Sequence, residues 1–154
     1  MQRLGWVLAA VFAGTTALLV YLFVVRGSVL PASDWRMAIQ LSPGERDLVL
    51  GEMRGFLVAV QAIVQAVVDQ DAGAVTVAAR RVGAEAQHGV PASLVGKLPI
   101  EFKRLGFDTH GRFDQLALDT EQFGDTSQVL GELSTLLQNC TACHATYRID
   151  LEQP

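Results

Sequence analysis

Hydrophobic positions along the chain fall into two regimes. From Leu4 to Val25 no residue is charged and nearly all are apolar, whereas beyond Arg26 apolar and polar positions recur at helical spacing. Wound at ~1.5 Å per residue, a run of that length matches a hydrocarbon core of ~30 Å. Bulky residues continue to its end, Leu18-Leu19-Val20-Tyr21-Leu22-Phe23-Val24-Val25. A secretory signal has a shorter apolar core followed by a small-residue cleavage site, and the one candidate here, Val11-Phe12-Ala13, sits mid-run. The pattern predicts an uncleaved N-terminal transmembrane anchor over residues 1–26, with a signal peptide as the alternative. Arg3 and Arg26 flank the run about equally and leave its orientation open. Trp6 and Tyr21 lie near its ends, where amphipathic rings favour the interface.

Residues 27–41, with Gly27, Pro31 and Ser33, read as a short tether with no core of its own. Ser42-Pro43-Gly44-Glu45 is a helix start: serine caps, proline suits the first helical position, and Glu45 sits where a capping-box carboxylate reaches back. The helix it opens is predicted over roughly 43–68. Its second half, Phe56 to Val68, is apolar almost all round yet too short to span a membrane. Burial on more than one side is expected, against the domain core and against a second copy or the membrane surface. Asp71 can cap a second helix over roughly 72–87, and a long connection with Pro91, Gly96, Pro99 and Gly106 follows. Phe113, Leu116, Ala117, Thr120 and Phe123 predict a helix over 109–123. Val129, Leu133, Leu136, Leu137, Cys140, His144 and Tyr147 predict another over 126–149. No alternating strand pattern and no internal repeat stands out. The expected fold is all-α: one N-terminal transmembrane helix, then a four-helix bundle over 42–154.

Charge and cysteine count narrow the function. The 154 residues hold 12 Lys+Arg and 16 Asp+Glu, and every acidic residue follows Arg26. An acidic domain excludes an electrostatic nucleic-acid binder, and a single span excludes a multi-span transporter. Both cysteines fall in Cys140-Thr141-Ala142-Cys143-His144, the c-type haem attachment pattern. Two thiols three apart on a helix can each form a thioether to one porphyrin, and the adjacent imidazole reaches the iron as proximal ligand. A thioredoxin-like pair wants a βαβ pattern that is missing. A structural zinc site needs about four ligands, and a disulfide within a helix is geometrically poor. The expected cofactor is therefore one haem c, held covalently by Cys140 and Cys143, with His144 as metal ligand. Such haem is attached on the outer side of the bacterial inner membrane. That implies a cytoplasmic N-terminus and residues 27–154 in the periplasm. No nucleophile–base pair or paired carboxylates suggest an enzyme.

The chain resembles the class II c-type cytochromes, the cytochrome c′ family, whose haem motif lies near the C-terminus. The stretch Cys140-Thr141-Ala142-Cys143-His144-Ala145-Thr146-Tyr147-Arg148 is similar to the family's signature, in which an aromatic residue and an arginine follow the histidine. Arg46-Asp47-Leu48-Val49-Leu50-Gly51-Glu52-Met53 is similar to its first helix, with an arginine and then the distal residue four positions later. The resemblance covers roughly residues 43–150. It implies a five-coordinate haem with Leu50, which cannot ligate iron, over an apolar distal pocket open to NO or CO. Met53 beside the porphyrin is the rival: as a sixth ligand it would give a low-spin electron carrier.

Arg46, Leu50 and Met53 share one helix face. Arg46 is a propionate partner or a solvated helix-start arginine. Tyr147 packs on the haem edge or in the core. Arg148 screens the proximal imidazole, meets a propionate or is solvated. His88 and His110 are expected at the surface, and Trp35 has no assigned role. Three readings follow. One is electron transfer with a redox partner at the periplasmic membrane face, to which residues 4–25 tether the domain. Another is a binding module for NO or CO, and the third an interaction subunit of a membrane complex. The resemblance also implies a homodimer through the helices over 43–68 and 72–87.

Overall fold

The computed structural model describes residues 2–153. Helix α1 (Gln2–Val20) runs into a π-helical stretch, Tyr21–Arg26. Together Arg3–Arg26 form one helix long and apolar enough to cross a membrane, with mean hydropathy 2.3 and none of it buried. Its C-terminal end is fastened to the domain. Gly27 adopts φ 65, and a Cβ there would collide with the Lys97 carbonyl, so only glycine makes this turn without a shift. Ser28 N–H then donates to Lys97 O at 2.7 Å, and Lys103 Nζ donates to Val24 O at 2.9 Å.

The expected tether is instead a hairpin. Strand β1 (Val29–Pro31) pairs antiparallel with β2 (Met37–Leu41), and β2 pairs in parallel with β3 (Tyr147–Leu151) at the far end of the chain. Ala38, Ile39 and Leu41 are buried, which corrects the coreless tether and adds a three-stranded sheet to an otherwise helical fold. The physical reason is a clash of periods. Cys140, His144 and Tyr147 recur at helical spacing, while Tyr147, Ile149 and Leu151 alternate at two, and the switch falls on the shared Tyr147.

Helix α2 (Pro43–Val68) keeps its predicted bounds: the Glu45 carboxylate accepts from the Ser42 backbone N–H at 3.0 Å and from its hydroxyl at 2.8 Å. Asp71 caps α3 (Ala72–Arg80) by accepting from Ala74 N–H at 2.8 Å. This helix stops before residue 87, and a 3-10 turn, Ala84–Gln87, follows, tied by Ala84 N–H to Asp114 Oδ2 at 2.8 Å. The predicted long connection contains α4 (Ala92–Lys97) and the first turns of α5 (Ile100–Phe123), which starts directly after Pro99 rather than near residue 109 and is capped by the left-handed Gly124. Helix α6 (Val129–Thr146) ends before Tyr147.

Four helices share one core: Ala59, Ile63 and Ala66 of α2, Val75 and Ala79 of α3, Phe113, Leu116 and Ala117 of α5, and Val129, Leu133 and Leu136 of α6. A second core lies under the sheet, built on Ile39, Leu41, Val49, Leu94 and Leu98, with Met53, Phe102, Tyr147 and Ile149 against it. The apolar half of α2 buries one face only, leaving Leu57, Val58 and Val68 exposed. His88 is exposed, but His110 is 2% exposed and corrects the expectation of a surface residue. Because α5 starts early, residue 110 falls mid-helix on the stripe that carries Phe113 and Ala117. Its Nδ1 meets Val82 O at 2.8 Å and Gly83 O at 3.1 Å, and its Nε2 meets Glu52 Oε1 at 3.1 Å.

Candidate functional site

The last two turns of α6 carry Cys140, Cys143 and His144. Both cysteines are free and half-buried, and His144 is exposed. Burial raises the Cys140 thiol above its usual value. Burial first, and then the neighbouring Cys140, push Cys143 to about 11. A reactive redox pair needs thiols lowered toward neutrality by positive surroundings, the reverse of what these side chains meet. Among the described residues no group of three or more His, Cys, Asp or Glu is placed to hold a metal ion by itself.

A cleft of about 150 Å³ opens beside the motif. Leu50 and Met53 of α2 and Phe102 of α5 supply apolar walls, Cys143 and His144 come from α6, and Tyr147, Arg148 and Ile149 from β3. Arg36, at the end of the β1–β2 loop, completes the lining. Tyr147 meets Phe102 edge-on, with ring centroids 5.6 Å apart at 83°. Arg148 Nε donates to Asp150 Oδ1 at 2.8 Å, and its Nη1 reaches Asp34 Oδ2 at 3.4 Å. Asp34 is held below the ordinary carboxylate range, chiefly by its hydrogen bond from Arg36.

Of the residues singled out by sequence, Cys143, His144, Leu50, Met53, Tyr147 and Arg148 meet in this cleft. Cys140 lies one turn before Cys143. Arg46 lies one turn before Leu50 on α2 and is not part of the lining, so the cations at the cleft are Arg36 and Arg148. Arg36 escaped the sequence reading because it arrives through β2–β3 pairing, and nothing local in Asp34-Trp35-Arg36 signals that.

The donor set would suit a haem c: the Cys143 thiol and the His144 imidazole at one end, with Cys140 one turn before them on α6, apolar walls, and the Arg36 and Arg148 guanidinium groups for carboxylates. A larger cleft of about 270 Å³ between the α5 and α6 ends is lined by Asp119, Asp125 and Glu132 and has neither thiol nor imidazole. Comparison with protein-family models, with curated proteins and with solved structures gave no match for this chain.

Proposed function

We propose that this chain is a membrane-anchored c-type cytochrome of the class II kind, with a four-helix domain carrying one covalent haem c at the periplasmic face of a bacterial inner membrane. It passes electrons between the membrane and a periplasmic redox partner. The observation that carries the reading is the meeting of Cys143, His144, Leu50, Met53 and Tyr147 in one cleft at the end of α6. A bound haem supplies a one-electron iron couple. Cys140 and Cys143 would hold the group, His144 would ligate its iron, and Leu50, Met53 and Phe102 would keep water from its apolar face. The anchor restricts the domain to the membrane surface and raises its effective concentration near membrane-bound partners. Leu50 carries no group able to ligate iron, so a haem held there would be left free to bind NO or CO.

The test is the full-length protein, expressed with a haem attachment system and purified in detergent. Covalent haem that survives denaturation, is lost in Cys140→Ala with Cys143→Ala, and gives a high-spin, CO-binding spectrum supports the reading. A wild-type protein that takes up no covalent haem overturns it. Met53 also lines the cleft, which sustains the second reading, a low-spin carrier with Met53 on iron. A spectrum indifferent to CO selects that one.

A further inference from the structure

Helix α6 stops one residue after Ala145, and the chain turns into β3 at Tyr147, with φ −121 and ψ 152. The carbonyls on either side of this corner belong to His144 and Tyr147. Arg36 Nη1 donates to both, at 3.4 Å each, across 108 and 111 residues of sequence. The same guanidinium gives Nε and Nη2 to Asp34 Oδ2 at 3.0 and 2.6 Å. Two of its sides are thus committed, one to a carboxylate and one to the end of α6. The placement is not incidental to the loop. Arg36 directly precedes the register pair Met37–Tyr147, and Ala32 N–H donates to Arg36 O at 2.9 Å. The preceding residue, Trp35, has φ 69 while its side chain is 99% exposed. A bulky residue in the left-handed region is strained, and an indole left in solvent does not offset that. What the reversal achieves is the direction of Arg36, turned back onto the corner of α6. A cation at the last carbonyls of a helix also has the favourable sign.

We propose that Arg36 is a positioning residue for the His144 imidazole: it locks the His144–Tyr147 corner so that the ring is presented in one orientation, and it adds positive charge at the cleft. The proposal rests on the haem reading above. Arg36 touches no reacting atom. It acts through the backbone of the ligand residue.

The experiment compares wild type, Arg36→Leu and Arg36→Lys, all full-length in detergent. Covalent haem content is measured first, and its absence from wild type would sink the haem reading itself, independently of Arg36. In loaded protein, Arg36→Leu is expected to keep its haem, show a second or broadened EPR population, and shift the reduction equilibrium about tenfold toward the oxidised form, equivalent to 59 mV for a one-electron couple. Arg36→Lys returns the charge but cannot bridge two carbonyls and a carboxylate as a planar fork does. It should recover most of the potential and retain the second EPR population. A wild-type spectrum and potential in Arg36→Leu overturn the proposal, as does an Arg36→Lys protein with a wild-type EPR spectrum, which would leave charge as the whole effect. If Arg36→Leu does not accumulate as folded protein by circular dichroism, the EPR spectrum of Arg36→Lys decides alone.

Discussion

Replacing Glu45 with glutamine should uncouple the base of the sheet from its main electrostatic support. The Glu45 carboxylate receives Lys97 Nζ at 2.7 Å as well as the backbone N–H and hydroxyl of Ser42. Lys97, chiefly, and then Ser42 hold its pKa at about 2 against an ordinary 4.5, with burial opposing them. At ~1.36 kcal/mol per unit, that difference sets a ceiling of roughly 3.4 kcal/mol on the preference for the ionised group. The Lys97 and Glu45 side chains are 27% and 11% exposed, so solvent reduces the realised value to about half the ceiling. Glutamine still serves in a capping box, and Lys97 keeps Glu152 at 2.9 Å. Glu45→Gln is therefore expected to cost about 1–2 kcal/mol at pH 7.

The sign with pH follows from the lowered folded value. The contribution is complete above pH 4.5 and is lost as pH falls toward 2. Between pH 7 and pH 3, wild type should lose about 1 kcal/mol more than Glu45→Gln, with roughly 2 kcal/mol as the ceiling. Urea unfolding of the detergent-solubilised protein, followed by far-UV circular dichroism at both pH values, measures the difference. Parallel pH profiles, or a Glu45→Gln protein within ~0.3 kcal/mol of wild type, would refute the reasoning.

Three further outcomes are expected. Burial pulls the His110 pKa down more than any other single effect, yet Glu52 and the Val82 and Gly83 carbonyls together leave it raised above 6.5. Its stabilisation is thus complete below pH 6.5 and fades as pH rises through the raised value, and His110→Ala should cost about 3 kcal/mol in urea unfolding at pH 6 and less at pH 9. Trp35→Gly relieves a left-handed residue without removing a packed side chain, so the unfolding free energy should stay level or rise by up to about 1 kcal/mol. A clear loss of stability would mean that the indole has a partner. Met53→Leu should leave spin state and CO uptake unchanged if Leu50 faces the iron, whereas a low-spin to high-spin conversion in the absorption spectrum identifies Met53 as the sixth ligand.

Local signals carried the helices whose ends are chemically marked. Ser42-Pro43-Gly44-Glu45 and Asp71 start α2 and α3 where they are expected, because capping depends on residues within one turn. The start of α5 was hidden because Pro99 and Gly106 read as breakers, though proline at a helix start and an open-sided glycine within it are both tolerated. That error alone moved His110 from core to surface. The sheet was illegible for a different reason: β2 has five residues, its partner β3 lies 110 positions away by register, and the short alternation of Tyr147, Ile149 and Leu151 is masked by the helical spacing that runs into Tyr147. Six of the nine cleft residues were legible because the Cys140–His144 motif, and the resemblance it opens to Leu50, Met53, Tyr147 and Arg148, can be read along the chain. Arg36 was not, since it depends wholly on the sheet.

The parallel pairing of β2 with β3 joins a strand near the N-terminal apolar helix to the segment just after Cys143 and His144. A chain made from its N-terminus therefore cannot complete this sheet until residues 147–151 have been synthesised. Until then β2 presents a free edge, the His144–Tyr147 corner has no Arg36 against it, and both thiols lie on an unrestrained helix end. Closing so distant a contact is also slow, because loop entropy must be overcome first. The order of assembly thus leaves an interval in which Cys140, Cys143 and His144 are less constrained than in the folded domain, and formation of the sheet ends that interval.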